Sequence, residues 1–302
     1  MIKNKKYTAT KKNGGKIPPL LDKRVKYVAV ACGCCMECMK AKARDWQIRM
    51  SEEIKTDGTG KFVTLTFSEE SLEELRQSIE GDTIEENDIA TLAVRRFLER
   101  WRKKHKKSVK HWLVTELGHN GTERIHLHGI IFTDKKEDIE LIWQYGYVWV
   151  GDYVNERTIN YIIKYVHKAD GDHPEYKPKV LTSSGIGRNY INRIDSKNNK
   201  FKGEDTDEAY RFKNGMKASL PIYYRNKIYN EEEREELWIN KLNKQERWVG
   251  GERMPFKTYE ELQNYENTLK FYQQKSEKLG YPKPKKKEEW DVKKYLNSLR
   301  NL

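Results

Sequence analysis

The segment HWLVTELGHNGTERIHLHGIIF, residues 111–132, constrains this chain more than any other. Two runs that alternate apolar and polar residues flank Asn120-Gly121, a dipeptide favoured in tight turns between antiparallel strands because both residues tolerate positive φ. The pattern predicts strands over 111–116 and 124–132 joined as a hairpin. Side chains two apart share a strand face, so His126 and His128 project together while Ile125, Leu127 and Ile131 turn to a core. Antiparallel pairing can carry the carboxylate of Glu116 across to the two imidazoles. Two nitrogens and one carboxylate oxygen, with coordination positions left open, suit a catalytic divalent cation better than a closed structural one. His119, in the hairpin near Glu116, is a possible outer ligand.

Around the hairpin, FVTLTF (62–67) and YVWVG (147–151) read as further strands, with a short helix around 138–143. Ala43, Trp46, Met50 and Ile54 make one apolar stripe of a helix over 39–54, and Asp57-Gly58 stops it. Ile89, Ala93, Phe97 and Trp101 mark a second helix, ending in RWRKKHKK, whose Arg100, Arg102, Lys103 and Lys104 are candidate DNA contacts. Asn155 can cap a helix carrying NYIIKYVHK. In that helix Tyr161 and Tyr165 are four apart and share a face, with Lys164 and Lys168 flanking it, while Ile159, Ile162, Ile163 and Val166 supply a core face. Farther on, DHPEYKPK reads as a loop and SSGIGRNY as a glycine turn that offers Arg188 as another candidate DNA contact. LPIYYRNKIY is Tyr-rich, charged helices run from about 231 to 279, and PKPKKKEEW precedes a short helical tail. The fold class is α+β: a central antiparallel sheet of about five strands, flanking helices and a helical C-terminal extension. We divide the chain into a basic flexible arm (1–24), a catalytic domain (25–230) that includes the Cys-rich segment 32–38, and a charged helical extension (231–302).

Composition narrows the partner. The 302 residues carry a formal charge of +13, and such a balance favours a polyanion, because each Lys or Arg beside a phosphate releases a condensed counterion. No apolar run approaches the roughly 20 residues a membrane span needs, and an intracellular protein is expected. All four cysteines fall within ACGCCMEC, which suggests a thiolate metal site or reduced thiols more than a disulfide framework. Cys32, Cys34 and Cys38 are singled out as possible structural zinc ligands, with Cys35 an additional thiol and no fourth ligand evident. GTGKF (58–62) resembles a phosphate-binding loop, but Lys55 and Phe62 stand where that motif needs Gly and Ser or Thr. A phenol ionises near pH ~10 and attacks poorly unless its target is activated. A cation that polarises a phosphodiester supplies that activation, and the natural product is a phosphotyrosine.

The ordered set FVTLTF, HLHG and YIIKYVHK resembles the three motifs of the HUH endonucleases, rolling-circle replication initiators, in the version with two tyrosines. With CGCCMEC, AKARDWQIR, SSGIGRNY and LPIYYRNKIY added, residues 27–230 are similar to the replication initiators of gokushovirus-type microviruses, small circular single-stranded DNA phages. The resemblance implies a ferredoxin- or RRM-like sheet and His126, His128 and Glu116 as ligands of magnesium or manganese. It also implies Tyr161 and Tyr165 as nucleophiles with Lys164 between them. It further implies origin nicking with a 5′-phosphotyrosine and strand rejoining, in the cytoplasm of a host bacterium, with a host helicase and polymerase as partners. A transposase or relaxase of the same chemistry is the nearest alternative. A non-catalytic single-stranded DNA-binding module, stacking bases on residues such as Trp112, Tyr147 and Trp149, is a different one.

Overall fold

The computed structural model describes residues 2–81, 83–119, 123–174 and 176–282. The chain folds as two compact units: residues 1–38, 198–209 and 225–302 form one, residues 39–197 and 210–224 the other.

The second unit is built on a five-stranded sheet. Its strands are β1 (Gly60–Leu65), β2 (Lys110–Leu117), β3 (Ile125–Phe132), β4 (Val148–Val150) and β5 (Val180–Thr182), ordered β4-β1-β3-β2-β5 with every neighbouring pair antiparallel. The helices of this region are α1 (Met36–Ile54), α2 (Glu69–Gln77), α3 (Glu86–His105), α4 (Glu137–Trp143) and α5 (Glu156–His167). The order of the first four strands, with α3 crossing from β1 to β2 and α4 from β3 to β4, is that of the split β-α-β arrangement. The expected α+β sheet is therefore present, with boundaries shifted by one to three residues.

Strand alternation splits the core in two. Val63, Leu65, Leu113, Leu117, Ile125, Leu127 and Ile131 pack on one face against Ile89, Ala93, Phe97 and Trp101 of α3 and Ile139, Ile142 and Trp143 of α4. On the other face Trp112, Val114, Ile130 and Phe132 meet Ile159, Ile162, Ile163 and Val166 of α5, together with the Ala43, Trp46, Met50 and Ile54 stripe of α1. Covering both faces explains why β2 and β3 read as nearly continuous apolar runs. It also corrects the stacking role considered for Trp112, which is fully buried.

Several segments depart from the sequence reading. β5 was not anticipated, because three residues are too few to show an alternation. Residues 2–28, expected as a flexible arm, form short 3-10 turns, and Ile2–Lys3 pairs with Tyr27–Val28. Asn4 Nδ2 donates to the Val25 carbonyl (2.9 Å), and Lys6 and Tyr7 both reach Glu235. The charged C-terminal stretch is two helices, Glu231–Asn243 and Tyr259–Lys278, interrupted by the hairpin Glu246–Val249 and Glu252–Pro255, whose turn needs positive φ at Gly250 and Gly251. The Asn120-Gly121 turn and the tail beginning PKPKKK lie outside the described residues, although Gly118 N–H donates to the Arg124 carbonyl and so narrows the hairpin end.

Two buried acids of α1 hold the SSGIGRNY turn. Glu53 accepts from Gly187 N–H (2.6 Å) and from Lys110 Nζ, while Glu52 accepts from Lys55, Tyr210 and Arg193. Burial works against ionisation of Glu52, but those three donors outweigh it and keep its carboxyl below the ordinary range. Gly187 has φ of +74°, and a Cβ there would sit 2.4 Å from the Arg49 carbonyl oxygen. Gly187→Ala is expected to destabilise by about 2 kcal/mol or more, about 1–2 kcal/mol from the left-handed backbone and the rest from overlap, measured by urea unfolding. Because the Glu52 pKa is lowered on folding, its stabilisation is present above the ordinary carboxylate pKa and is lost as pH falls through the folded value. The melting-temperature gap between wild type and Glu52→Gln should therefore narrow below about pH 4; a gap that widens there would contradict the assignment.

Candidate metal and tyrosine site

The β2–β3 register places Glu116 directly opposite His126, and His128 two residues on along the same face. Glu116 Oε2 lies 3.2 Å from His126 Nε2 and 3.1 Å from His128 Nε2. The two imidazoles stand edge to face with ring centroids 4.9 Å apart. Backbone and side-chain contacts fix both rings from behind: His126 Nδ1 faces the Arg124 carbonyl (3.2 Å) and His128 Nδ1 faces the Thr64 hydroxyl (3.1 Å). Outer contacts of this kind leave each Nε2 available on the common face, as metal-binding histidines require. Glu116, His126 and His128 each offer an atom within 4.8 Å of the others, so the donor set fits a small divalent cation with open positions.

The site is electrostatically coherent. Burial disfavours the Glu116 carboxylate, yet hydrogen bonds from His126 and His128 outweigh that penalty and bring its pKa down to about 2. Burial opposes protonation of His126, and its contact with Glu116 more than compensates, so its pKa is raised. Lys168 Nζ stands 4.0 Å from Glu116 Oε1.

Helix α5 brings the phenols in. Asn155 caps it by accepting from Thr158 N–H (3.0 Å), and the buried Ile159, Ile162, Ile163 and Val166 fix its rotation. Tyr165 stacks on His128 with centroids 4.3 Å apart and an interplanar angle of 10°. Its hydroxyl donates to the Tyr161 hydroxyl (2.9 Å), and Lys164 Nζ lies 3.8 Å from the Tyr161 ring centroid. Tyr165 is buried and Tyr161 is 47% exposed. Burial, reinforced by the Tyr161 contact, pushes the Tyr165 pKa above its ordinary value. Phe62 meets His128, Tyr161 and Trp149, and thereby forms an aromatic floor between the histidines and β4.

Other candidates lie elsewhere. His119 pairs with Asp172 (3.0 Å) and groups with Asp170 and His173, separately from the Glu116 set. Arg100 lies on the helix of the opposite sheet face, donating to the Ile142 and Trp143 carbonyls and to Tyr145, and Lys104 is paired with Asp138. Arg102 and Lys103 share the last turn of α3, while Arg188 is exposed after the glycine turn. Of the four cysteines, Cys32, Cys35 and Cys38 come together and Cys34 is buried apart from them. This differs from the expected trio, in which Cys34 stood for Cys35. Sequence reasoning missed Thr64 and Phe62, although a polar residue inside FVTLTF on the histidine face was the available signal.

Residues 60–170 match the family model of the ORF2-type replication-associated protein, a rolling-circle replication initiator family. The match runs from β1 through α5 and includes Glu116, both histidines, both tyrosines and Lys164. No match was found among curated proteins or solved structures. Among the described residues no helix is long and apolar enough to cross a membrane.

Gly129 couples strand packing to this site, because a Cβ there would lie 2.1 Å from the Trp112 carbonyl oxygen and 2.8 Å from Leu113 Cα. Gly129→Ala should therefore push β2 from β3 and lower both melting temperature and manganese affinity. Thr64→Val should lower manganese affinity about 10–100-fold with little change in melting temperature, since it removes only the contact orienting His128. Isothermal titration with manganese checks both, and unchanged affinity in Thr64→Val would remove Thr64 from the site.

Proposed function

We propose that this protein is a metal-dependent, site-specific DNA nickase and strand transferase that initiates rolling-circle replication of a circular single-stranded DNA phage. The observation that carries the reading is the continuous assembly from Glu116 and the two histidines, through the Tyr165 ring on His128, to the exposed Tyr161 hydroxyl. The match of residues 60–170 to a replication initiator family and the +13 charge support the same reading.

Glu116, His126 and His128 are the residues that would hold magnesium or manganese. Bound there, the cation supplies Lewis-acid polarisation of a phosphoryl oxygen. Tyr161 is the exposed phenol, accepts a hydrogen bond from Tyr165 and has the Lys164 ammonium beside its ring, so its oxygen is the one favoured as phenolate. In the nicking step the Tyr161 oxygen bonds to phosphorus, the bond from phosphorus to the 3′-oxygen breaks, and that oxygen leaves as a hydroxyl. The phenolic proton passes to solvent. A free 3′-OH remains for a host polymerase, with a host helicase separating the strands in the bacterial cytoplasm. In closure a 3′-OH attacks the phosphotyrosine and releases the phenol, and Tyr165 provides the second acceptor needed for strand transfer.

The test uses labelled single strands tiled across the replicon that carries the gene, with manganese. One oligonucleotide is expected to give a covalent protein adduct that chelation abolishes. Tyr161→Phe should lower adduct formation by a factor of order 10³ or more, as loss of a nucleophile does, while Tyr165→Phe should keep the first adduct and lose transfer. An undiminished adduct in the Tyr161→Phe, Tyr165→Phe double variant would sink the tyrosine assignment. Chelator-insensitive binding without cleavage would favour a pure single-strand-binding module instead.

A further inference from the structure

We propose that Cys32, Cys35 and Cys38 bind one zinc ion as a tris-thiolate site that fixes the segment leading into α1. The three sulfurs lie within 4.8 Å of one another, and the Cys32 and Cys38 Sγ atoms are 3.6 Å apart. Zinc–sulfur arms of about 2.3 Å at tetrahedral angles set an edge of about 3.8 Å between sulfurs. A disulfide would need about 2.05 Å. An iron–sulfur cluster ordinarily takes four cysteine ligands, and only three cysteines converge here.

The backbone around the trio is arranged for this. Gly33, at φ +74°, lets the chain turn back between Cys32 and Cys35. Cys35 N–H then donates to Cys32 Sγ (3.3 Å), a contact that favours the thiolate at Cys32. Cys38 stands three residues after Cys35, in the first turn of α1. Behind the loop, Met36 N–H donates to Ser276 Oγ of the helix Tyr259–Lys278 (3.1 Å), and Met36 and Cys34 are both buried. Reduced cysteines behave as small hydrophobes and go inside. Cys34 does so, whereas the other three converge at the surface side of the loop, where Cys32 is exposed.

A staple at this point suits the unit that contains it. One of that unit's apolar clusters, around Val249, Met254 and Tyr265, is small, and small cores gain most from a bound metal. Zinc binding replaces three thiol protons, which leave to solvent. Among the described residues no fourth His, Cys, Asp or Glu joins the trio, so the remaining zinc position falls to a water molecule.

The proposal stands independently of the nicking reading and is tested without DNA. The full chain, in a His126→Ala, His128→Ala background that removes the other candidate site, is purified without chelator and its zinc is measured. One zinc per chain is expected in that parent and in Cys34→Ser, with at least a tenfold loss in Cys32→Ser and Cys35→Ser. Cobalt added to the reduced, zinc-free parent should give thiolate-to-cobalt charge-transfer absorption, which also serves if the serine variants do not fold. Equal zinc in Cys35→Ser and the parent, or a zinc-free parent without a thiolate–cobalt band, would overturn the proposal.

Discussion

The pairing of Glu116 with His126 across the β2–β3 ladder is the contact on which the rest of the site depends. Register in a sheet has a period of two, so a slip of one residue would send both imidazoles to the opposite face and bring Ile125 and Leu127 out of the core. The apolar alternation therefore fixes the polar constellation: burying Ile125, Leu127 and Ile131 against α3 and α4 is what aims His126 and His128 at Glu116. Gly129 adds a second lock, since its lack of a side chain lets β2 approach β3 closely just beyond the histidines.

Helix α5 solves a related problem with a different period. Ile159, Ile162, Ile163 and Val166 face the sheet, and that same rotation puts the Tyr165 ring flat against His128 and leaves Tyr161 at the rim. One buried and one exposed phenol on adjacent turns are chemically unlike, although a sequence reading treats them as equals. Their hydrogen bond gives the pair a polarity, with Tyr165 donating and Tyr161 accepting.

Much of this was legible before any coordinates. The hairpin, the four longer-patterned strands and the stripes of α1, α3 and α5 follow from apolar periodicity, because each element buries one continuous face. The metal set was legible because strand geometry dictates which side chains share a face. What could not be read depended on contacts between elements distant in sequence. β5 exists only because Trp112–Val114 leaves an edge to pair with, and the Ile2–Lys3 strand only because Tyr27–Val28 does. Thr64 orients His128 across a strand pair separated by more than sixty residues. The choice of Cys35 over Cys34 depends on which way a loop turns at Gly33, and composition carries no information about that.

The charge of the chain is distributed in a way that its total conceals. Arg100 and Lys104 looked like phosphate contacts, yet their helix packs on the sheet face opposite the histidines, and both cations are already engaged with α4 or the loop after it. On the histidine face the cations near the phenols are Lys164, over the Tyr161 ring, and Lys168, beside Glu116. Tyr147, Trp149 and Tyr153 are exposed on or beside β4, whose Trp149 reaches the site through Phe62. On the proposed reading, a strand lying across this face meets few lysines and several rings. Stacking, which tolerates any base, and the register imposed by Tyr161 then do more to seat the strand than the net charge that first suggested it.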